Sequence, residues 1–215
     1  MNCCSSESCR GAASFFSRWS RKYAKRFRKK GLEKVQEYLL EGIRRIPLAS
    51  AEVLDIGCGV GALHTTLLKE GAVHATAVDA AEGMVLKAQE IAEELGVRGK
   101  ADYVVGDFVE KASEIREADI VTLDKVVCCY EHLEPLITGA LGKTRRILAL
   151  SWPRNLLIVR WTFGVQIFIA RLFRAQFHPF WHDWVRMSEM IQTGGFKPVY
   201  TNSTFIWSIA VYQRI

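Results

Sequence analysis

The sequence predicts an α/β domain: a doubly wound, mostly parallel sheet with a C-terminal antiparallel strand pair and a helical cap at the N-terminus. Three observations predict it. Short apolar runs alternate with helical patterns from residue 51 to residue 153, as right-handed βαβ crossovers require. Only helical patterning precedes the first of these runs. The last two strand-like runs stand too close together for a parallel crossover, so they must pair antiparallel.

The elements follow in order. From Phe15 to Ile46 apolar residues recur at helical spacing: Phe16, Trp19, Tyr23 and Phe27, then Leu32, Val35, Leu39 and Ile43. Gly31 separates two helices there, and Pro47 stops the second. "AEVLDIG" reads as a buried strand, "VGALHTTLLKEGA" as a helix closing on Gly71, and "VHATAVDA" as a second strand ending at Asp79. "AEGMVLKAQEIAEELG" is an amphipathic helix closed by Gly96, and "ADYVVGDF" a third strand ending near Asp107. A fourth strand ends around Asp124, "LEPLITGALGK" is a helix, and "RRILALSWP" is a fifth strand stopped by Pro153. An aromatic, apolar insertion occupies about residues 154–182. The helix "DWVRMSEMIQTGGF" and two short strands, joined at Asn202 and Ser203, complete the chain. Residues 1–48 are expected to form the basic cap and residues 49–215 the main domain.

A chain of 215 residues, 49% hydrophobic and 24% charged, can bury one ordinary core and is not disordered. Its formal charge of +6 is uneven: ten basic residues against Glu7 and Glu33 put +8 on Met1–Lys34, leaving −2 elsewhere. Such an arm suits an anionic contact, although a solvated helix face has the same look. No apolar signal region opens the chain, and Cys3, Cys4, Cys9, Cys58, Cys128 and Cys129 form no disulfide ladder; a reducing cytoplasmic setting is expected. No metal site is expected, since the N-terminal cysteines lack further ligands at zinc spacing. Cys3 and Cys4 beside a basic helix also carry the pattern of a paired lipid anchor.

The chemistry concentrates in "VLDIGCGVGALH". With Ala62 in the last small position, "GCGVGA" satisfies a dinucleotide fingerprint, which keeps a nicotinamide-dependent oxidoreductase as one reading. Asp55 argues otherwise, because a pyrophosphate gives no reason for an acid two residues before Gly57, whereas a ligand with a cationic amino group does. Asp79 can accept from both hydroxyls of a ribose. Asp107 can accept from an adenine amine while Phe108 and Met84 pack on the ring. Amine, ribose and adenine together describe S-adenosylmethionine.

These residues resemble the class I S-adenosylmethionine-dependent methyltransferases, whose sheet is Rossmann-like. "VLDIGCGVG", "AVDAAEGM", "VGDF" and "ADIVTLDKV" occur in register over about residues 51–213. The resemblance implies cofactor contacts from Asp55, Gly57, Cys58, Gly59, Gly61, Asp79, Asp107 and Phe108, to which Met84 and Asp124, at the end of the fourth strand, are added. "RKYAKRFRKKGLEKV", "LDKVVCCYEH" and "FHP" look like a small subgroup associated with magnesium-protoporphyrin O-methyltransferases. The absence of an Asn-Pro-Pro-Tyr stretch after the fourth strand disfavours transfer to nucleobase or glutamine amines.

Candidates for the acceptor side are Lys125, Tyr130, Glu131, His132, Trp152, His178 and His182, with Tyr130 and His178 preferred as catalytic. Each has a plain structural reading too: Lys125 and Glu131 as an ion pair, Tyr130 and Trp152 as wall, His132 as a helix cap. Leu156–Phe173 is interrupted by Arg160, Gln166 and Arg171 and falls short of a membrane span; it reads as a lid for a hydrophobic acceptor or as a surface helix. The expected partner is therefore a small hydrophobic molecule, with no nucleic acid and with peripheral membrane contact as an option. A non-catalytic binding protein on the same fold is the remaining alternative.

Overall fold

The computed structural model describes residues 6–173 and 175–215; Cys3 and Cys4 lie outside the described residues. The sheet comprises β1 (Glu52–Ile56), β2 (His74–Asp79), β3 (Ala101–Val105), β4 (Ala118–Leu123), β5 (Thr144–Pro153), β6 (Phe196–Ser203) and β7 (Trp207–Arg214). The helices are α1 (Glu7–Lys30), α2 (Lys34–Ile43), α3 (Ala62–Lys69), α4 (Glu82–Glu94), α5 (Phe108–Lys111), α6 (Leu133–Lys143), α7 (Leu157–Leu172) and α8 (Trp184–Thr193). Strand order is β3-β2-β1-β4-β5-β7-β6, with β1 to β5 parallel and β7 antiparallel to both its neighbours. The order reverses between β1 and β4, and there a crevice opens at the carboxyl ends of the strands.

Successive residues of the central strands feed opposite cores, as a pleated strand requires. Val53, Ile120 and Ile147 join Leu39, Leu40 and Leu67 on the face covered by α2 and α3. Leu54, Val121 and Leu148 join Leu136, Ile137, Met187 and Ile191 on the face covered by α6 and α8. Both faces are apolar, which is why the strands read as continuous hydrophobic runs.

α1 begins at Glu7, eight residues before the apolar periodicity that suggested Phe15. The Ser6 hydroxyl caps it by accepting from the Cys9 amide at 3.1 Å. Arg28, Lys29 and Lys30 fill its last turn, where cations suit the helix dipole. Polar capping thus extended a helix that hydrophobic spacing alone cut short. The helix docks on α4 through Ala24, Phe16 and Phe27, which pack with Val60, Ala81, Met84 and Ile91. Gly83 permits this approach, because a Cβ there would stand 2.8 Å from the Ser17 carbonyl oxygen.

One further expectation needs correction. β6 runs through Asn202 to Ser203, so the turn to β7 is Thr204–Ile206; the Thr204 hydroxyl accepts from the Trp207 amide at 3.0 Å and closes it. Cys9 is disulfide-bonded, while Cys58, Cys128 and Cys129 are free. Among the described residues no helix is long and apolar enough to cross a membrane, and no cluster of three metal-ligating side chains occurs.

Candidate functional site

The glycine turn between β1 and α3 forms one wall of the crevice. Gly57, Gly59 and Gly61 have φ of 64°, 54° and 85°, the left-handed region that side chains disfavour. Gly57 is doubly constrained, since a Cβ there would stand 2.4 Å from the Val126 Cγ2. The turn is fixed by the Cys58 amide donating to the Val78 carbonyl at 3.0 Å and by the Gly61 amide donating to Cys58 at 2.9 Å. Cys58 itself is buried, and desolvation raises its thiol pKa well above the usual range, so it serves as wall rather than nucleophile.

A cavity of about 470 Å³ opens beneath this turn, and Asp55, Asp79 and Asp107 all line it. Their environments differ. Asp55 is buried, and both its oxygens are engaged: the Thr122 hydroxyl donates to one at 2.6 Å and the His64 Nδ1 lies 2.8 Å from the other. His64 Nε2 is in turn 3.2 Å from the Tyr103 hydroxyl. Asp79 accepts the Gly59 and Ala81 amides at 2.9 and 2.8 Å, so it pins the glycine turn to the start of α4. Desolvation nevertheless raises its pKa to about 6, the amide hydrogen bonds opposing that rise only in part. Asp107 caps α5 by accepting from Val109 at 2.8 Å and receives the Tyr130 hydroxyl on both oxygens, at 3.0 and 2.9 Å. Met84 and Phe108 line the same cavity as apolar surface. Of the candidate cofactor residues named from the sequence, all but Gly61 line this one space, Asp124 included.

The other half of the cavity is built from distant segments. Phe15, Phe16 and Tyr23 come from α1, Phe163 and Gln166 from α7, and Phe177 and Trp207 from beyond the lid. Phe177 lies with ring centroids 5.2 Å from both Phe15 and Phe16, which ties α1 to the segment after α7. Between the two halves sits a polar patch that the sequence did not reveal. Lys125 is ion-paired with Glu33, not with Glu131, and its ammonium lies 5.5 Å from the Trp207 ring centre. Burial lowers its proton affinity, but Asp124 and Glu33 outweigh that and leave the pKa above the ordinary lysine value. Asp124 accepts from the Ser151 hydroxyl at 2.7 Å and the Gln36 amide at 3.1 Å, and desolvation raises its pKa. Lys125 has a φ of 60°, uncommon for a side-chain-bearing residue, and its amide donates to Ser151 at 2.9 Å. Glu33 and Gln36 carried no local signal beyond the helix break at Gly31, because their role arises only when α2 returns to the carboxyl edge of the sheet.

A family profile described as a methyltransferase domain matches residues 53–150, the span from β1 into β5. The fold agrees over nearly the whole chain with magnesium protoporphyrin IX methyltransferase from Synechocystis PCC 6803, solved with bound SAH: TM-score 0.73, 25% identity, 94% of this chain and 95% of that one. Residues 53–150 are thus similar to a methyltransferase domain, on a fold shared with a methyltransferase solved with bound SAH. Ribosomal protein L11 methyltransferase of Aeromonas salmonicida is 32% identical over 52% of this chain and 37% of its own length. Ubiquinone biosynthesis O-methyltransferase of Azorhizobium caulinodans is 41% identical over 40% of this chain and 32% of its own. The matches thus span about a third of these curated relatives. The shared part is the methyltransferase core; α1, α7 and the last strands fall outside the matched profile.

The two preferred acceptor-side residues part company. Tyr130 lines the cavity, but its hydroxyl is held by Asp107, and burial with that carboxylate raises its pKa. His178 lines a second depression with Ser8, Glu131 and Phe180, and its Nδ1 lies 3.1 Å from the Pro179 carbonyl. Its neighbours Phe177 and Pro179 line the first cavity, whereas His178 is not among that cavity's lining residues. Glu131 accepts from the Ser8 hydroxyl at 2.6 Å. His132 occupies the N-cap position of α6 without a side-chain cap bond. His182 lies 2.9 Å from the Tyr130 carbonyl, and burial lowers its pKa. Trp152 packs against the core.

Proposed function

We propose that this chain is an enzyme that binds S-adenosylmethionine at the carboxyl ends of β1 to β3 and directs its methyl group to a small hydrophobic acceptor. The residues present fit the cofactor. The glycine turn leaves room for close backbone approach, Asp79 offers a carboxylate for a ribose, and Phe108 and Met84 provide apolar faces beside Asp107. Asp55, held by His64 and Thr122, offers a carboxylate where an amino group is expected. The bound cofactor supplies an electrophilic methyl group on a cationic sulfur, with a neutral thioether as leaving group.

The chain's own contribution is alignment and exclusion of water. The single observation that carries the acceptor reading is the aromatic half of the cavity, where Phe15, Phe16, Phe163, Phe177 and Trp207 line one space with the three carboxylates. A cavity of about 470 Å³ lies within the range of ~300–1,000 Å³ usual for small-molecule sites. Lys125, Glu33 and Asp124 would orient one polar group of an otherwise apolar acceptor.

Calorimetry tests the cofactor half. Asp79→Ala is expected to lose at least about 100-fold in S-adenosylmethionine affinity, two charge-assisted hydrogen bonds being worth roughly 1.5 kcal/mol each or more. Its far-ultraviolet spectrum should stay that of the parent. Unchanged affinity, or a nicotinamide nucleotide stabilising the parent in its place, would refute the assignment. Labelled cofactor mixed with a cell extract, and the products resolved by mass, identifies the acceptor.

A further inference from the structure

α7 is not covered by the fold that carries it. Of its residues only Val159 and Phe163 are buried, whereas Leu157, Trp161, Phe168 and Leu172 are 88%, 66%, 66% and 65% exposed. Their spacing of four, seven and four residues places all four on one helical face. So continuous an apolar stripe is uncommon on a water-facing surface and marks a docking face. At 16 residues the helix is about 24 Å long, and it does not qualify as a span.

A second feature stands beside it. The solvent face of α1 carries Phe15 and Trp19 together with Arg18, Lys22 and Lys29, which helical spacing sets on one side, opposite the buried Ser20 and Ala24. Arg28 is neutralised by Glu90 and Glu94, and Arg26 pairs with Glu33; Lys22 and Lys29 have no acidic partner among the described residues. Lys22 instead lies 4.4 Å over the Trp19 ring. Both helices border the same cavity, and Phe177 and Gln176, just past α7, touch Phe15 and Arg18. Apolar side chains next to aromatics and unpaired cations, on two helices too amphipathic or too short to insert, match the chemistry of a bilayer surface.

We infer that α7 and the solvent face of α1 dock this protein on an anionic lipid surface, with the aromatic end of the cavity turned toward the membrane. The occupant is a lipid bilayer and not a second copy, because pairing this face in two copies would bring two basic α1 helices together. The inference deepens the proposed function by drawing the hydrophobic acceptor from the bilayer, but docking itself does not depend on cofactor binding.

Flotation of the full chain with vesicles tests it. The protein should float with phosphatidylcholine vesicles containing phosphatidylglycerol and much less with phosphatidylcholine alone. About 1 M salt, which shortens screening to ~3 Å, should weaken the anionic preference. The triple variant Trp161→Ser, Phe168→Ser, Leu172→Ser should lose at least about tenfold in partition, by the apolar area removed from the interface. Lys22→Glu with Lys29→Glu should abolish the preference for anionic lipid, at roughly fivefold per charge removed. Melting temperature and S-adenosylmethionine affinity should match the parent in both variants, since none of these residues lines the cavity. Parent protein staying in solution with both vesicle types overturns the inference, as does a triple variant that floats like the parent. A dimer in sedimentation that dissociates on the triple substitution would assign the face to a second copy and overturn it too. Failure of cofactor binding with flotation intact would instead strike the proposed function alone.

Discussion

The two halves of the cavity are built on different plans. The cofactor half consists of strand ends and tight turns, its acids held by short hydrogen bonds: Asp55 to His64 and Thr122, Asp79 to two backbone amides, Asp107 to Val109 and Tyr130. The acceptor half consists of aromatic side chains from α1, α7 and the segments around Phe177 and Trp207. Rigid parts sit where the ligand has fixed chemistry, and adaptable apolar surface sits where the acceptor enters. The first half lies mostly within the span that matches the methyltransferase-domain profile, and segments outside that span make up most of the second.

The sharpest break of this contrast is Gly57→Ala. A Cβ would meet Val126 at 2.4 Å and also sit at a φ of 64°, costs that together reach about 2–4 kcal/mol. We expect a clear fall in melting temperature and loss of cofactor binding. Adding Val126→Ala should recover the part due to the clash and leave the part due to φ, so full recovery would show that backbone conformation does not matter there.

The second test is pH. Asp79 has its folded pKa raised from 3.8 to about 6, so the folded chain binds more protons than the unfolded chain between those values. Its contribution to stability is therefore full below about pH 4 and is lost as pH rises through 6. Cofactor affinity runs the other way, because hydroxyls donate to the ionised carboxylate. Calorimetry from pH 5 to pH 8 should show affinity rising through about pH 6 with proton release on binding, and a flat profile for Asp79→Asn.

The smallest effect on the cofactor belongs to the opposite wall. Phe177→Ala should leave S-adenosylmethionine affinity within about twofold while raising the KM for the acceptor, because a truncated aromatic removes acceptor contact area rather than a cofactor bond. Equal losses for both ligands would mean that the halves are not separable.

Legibility in the sequence followed the same division. Asp55 and Asp79 lie at strand ends with glycines in the next few residues, and Asp107 follows its strand directly after Gly106, so hydrophobic runs and turn chemistry sufficed to place all three. The brace beneath Asp55 was not legible, since His64 and Thr122 lie on different elements and meet only through the β1–β4 pairing. Lys125 was singled out, yet its partner Glu33 is 92 residues away, and neighbouring charges suggested Glu131 instead. His178 shows the converse: an aromatic segment announced a pocket wall, but which rings face inward depended on a turn that composition does not encode.

The sequence by itself determined the order of strands and helices, the doubly wound class and the three acids at the crevice, because these rest on local periodicity and on residues that act within a few positions of one another. Only the tertiary structure decided which aromatics roof the cavity, where Lys125 finds its counter-charge, and that α7 keeps one apolar face uncovered. Those outcomes depend on contacts between segments far apart in the chain, whose energies arise from packing geometry that no local pattern records.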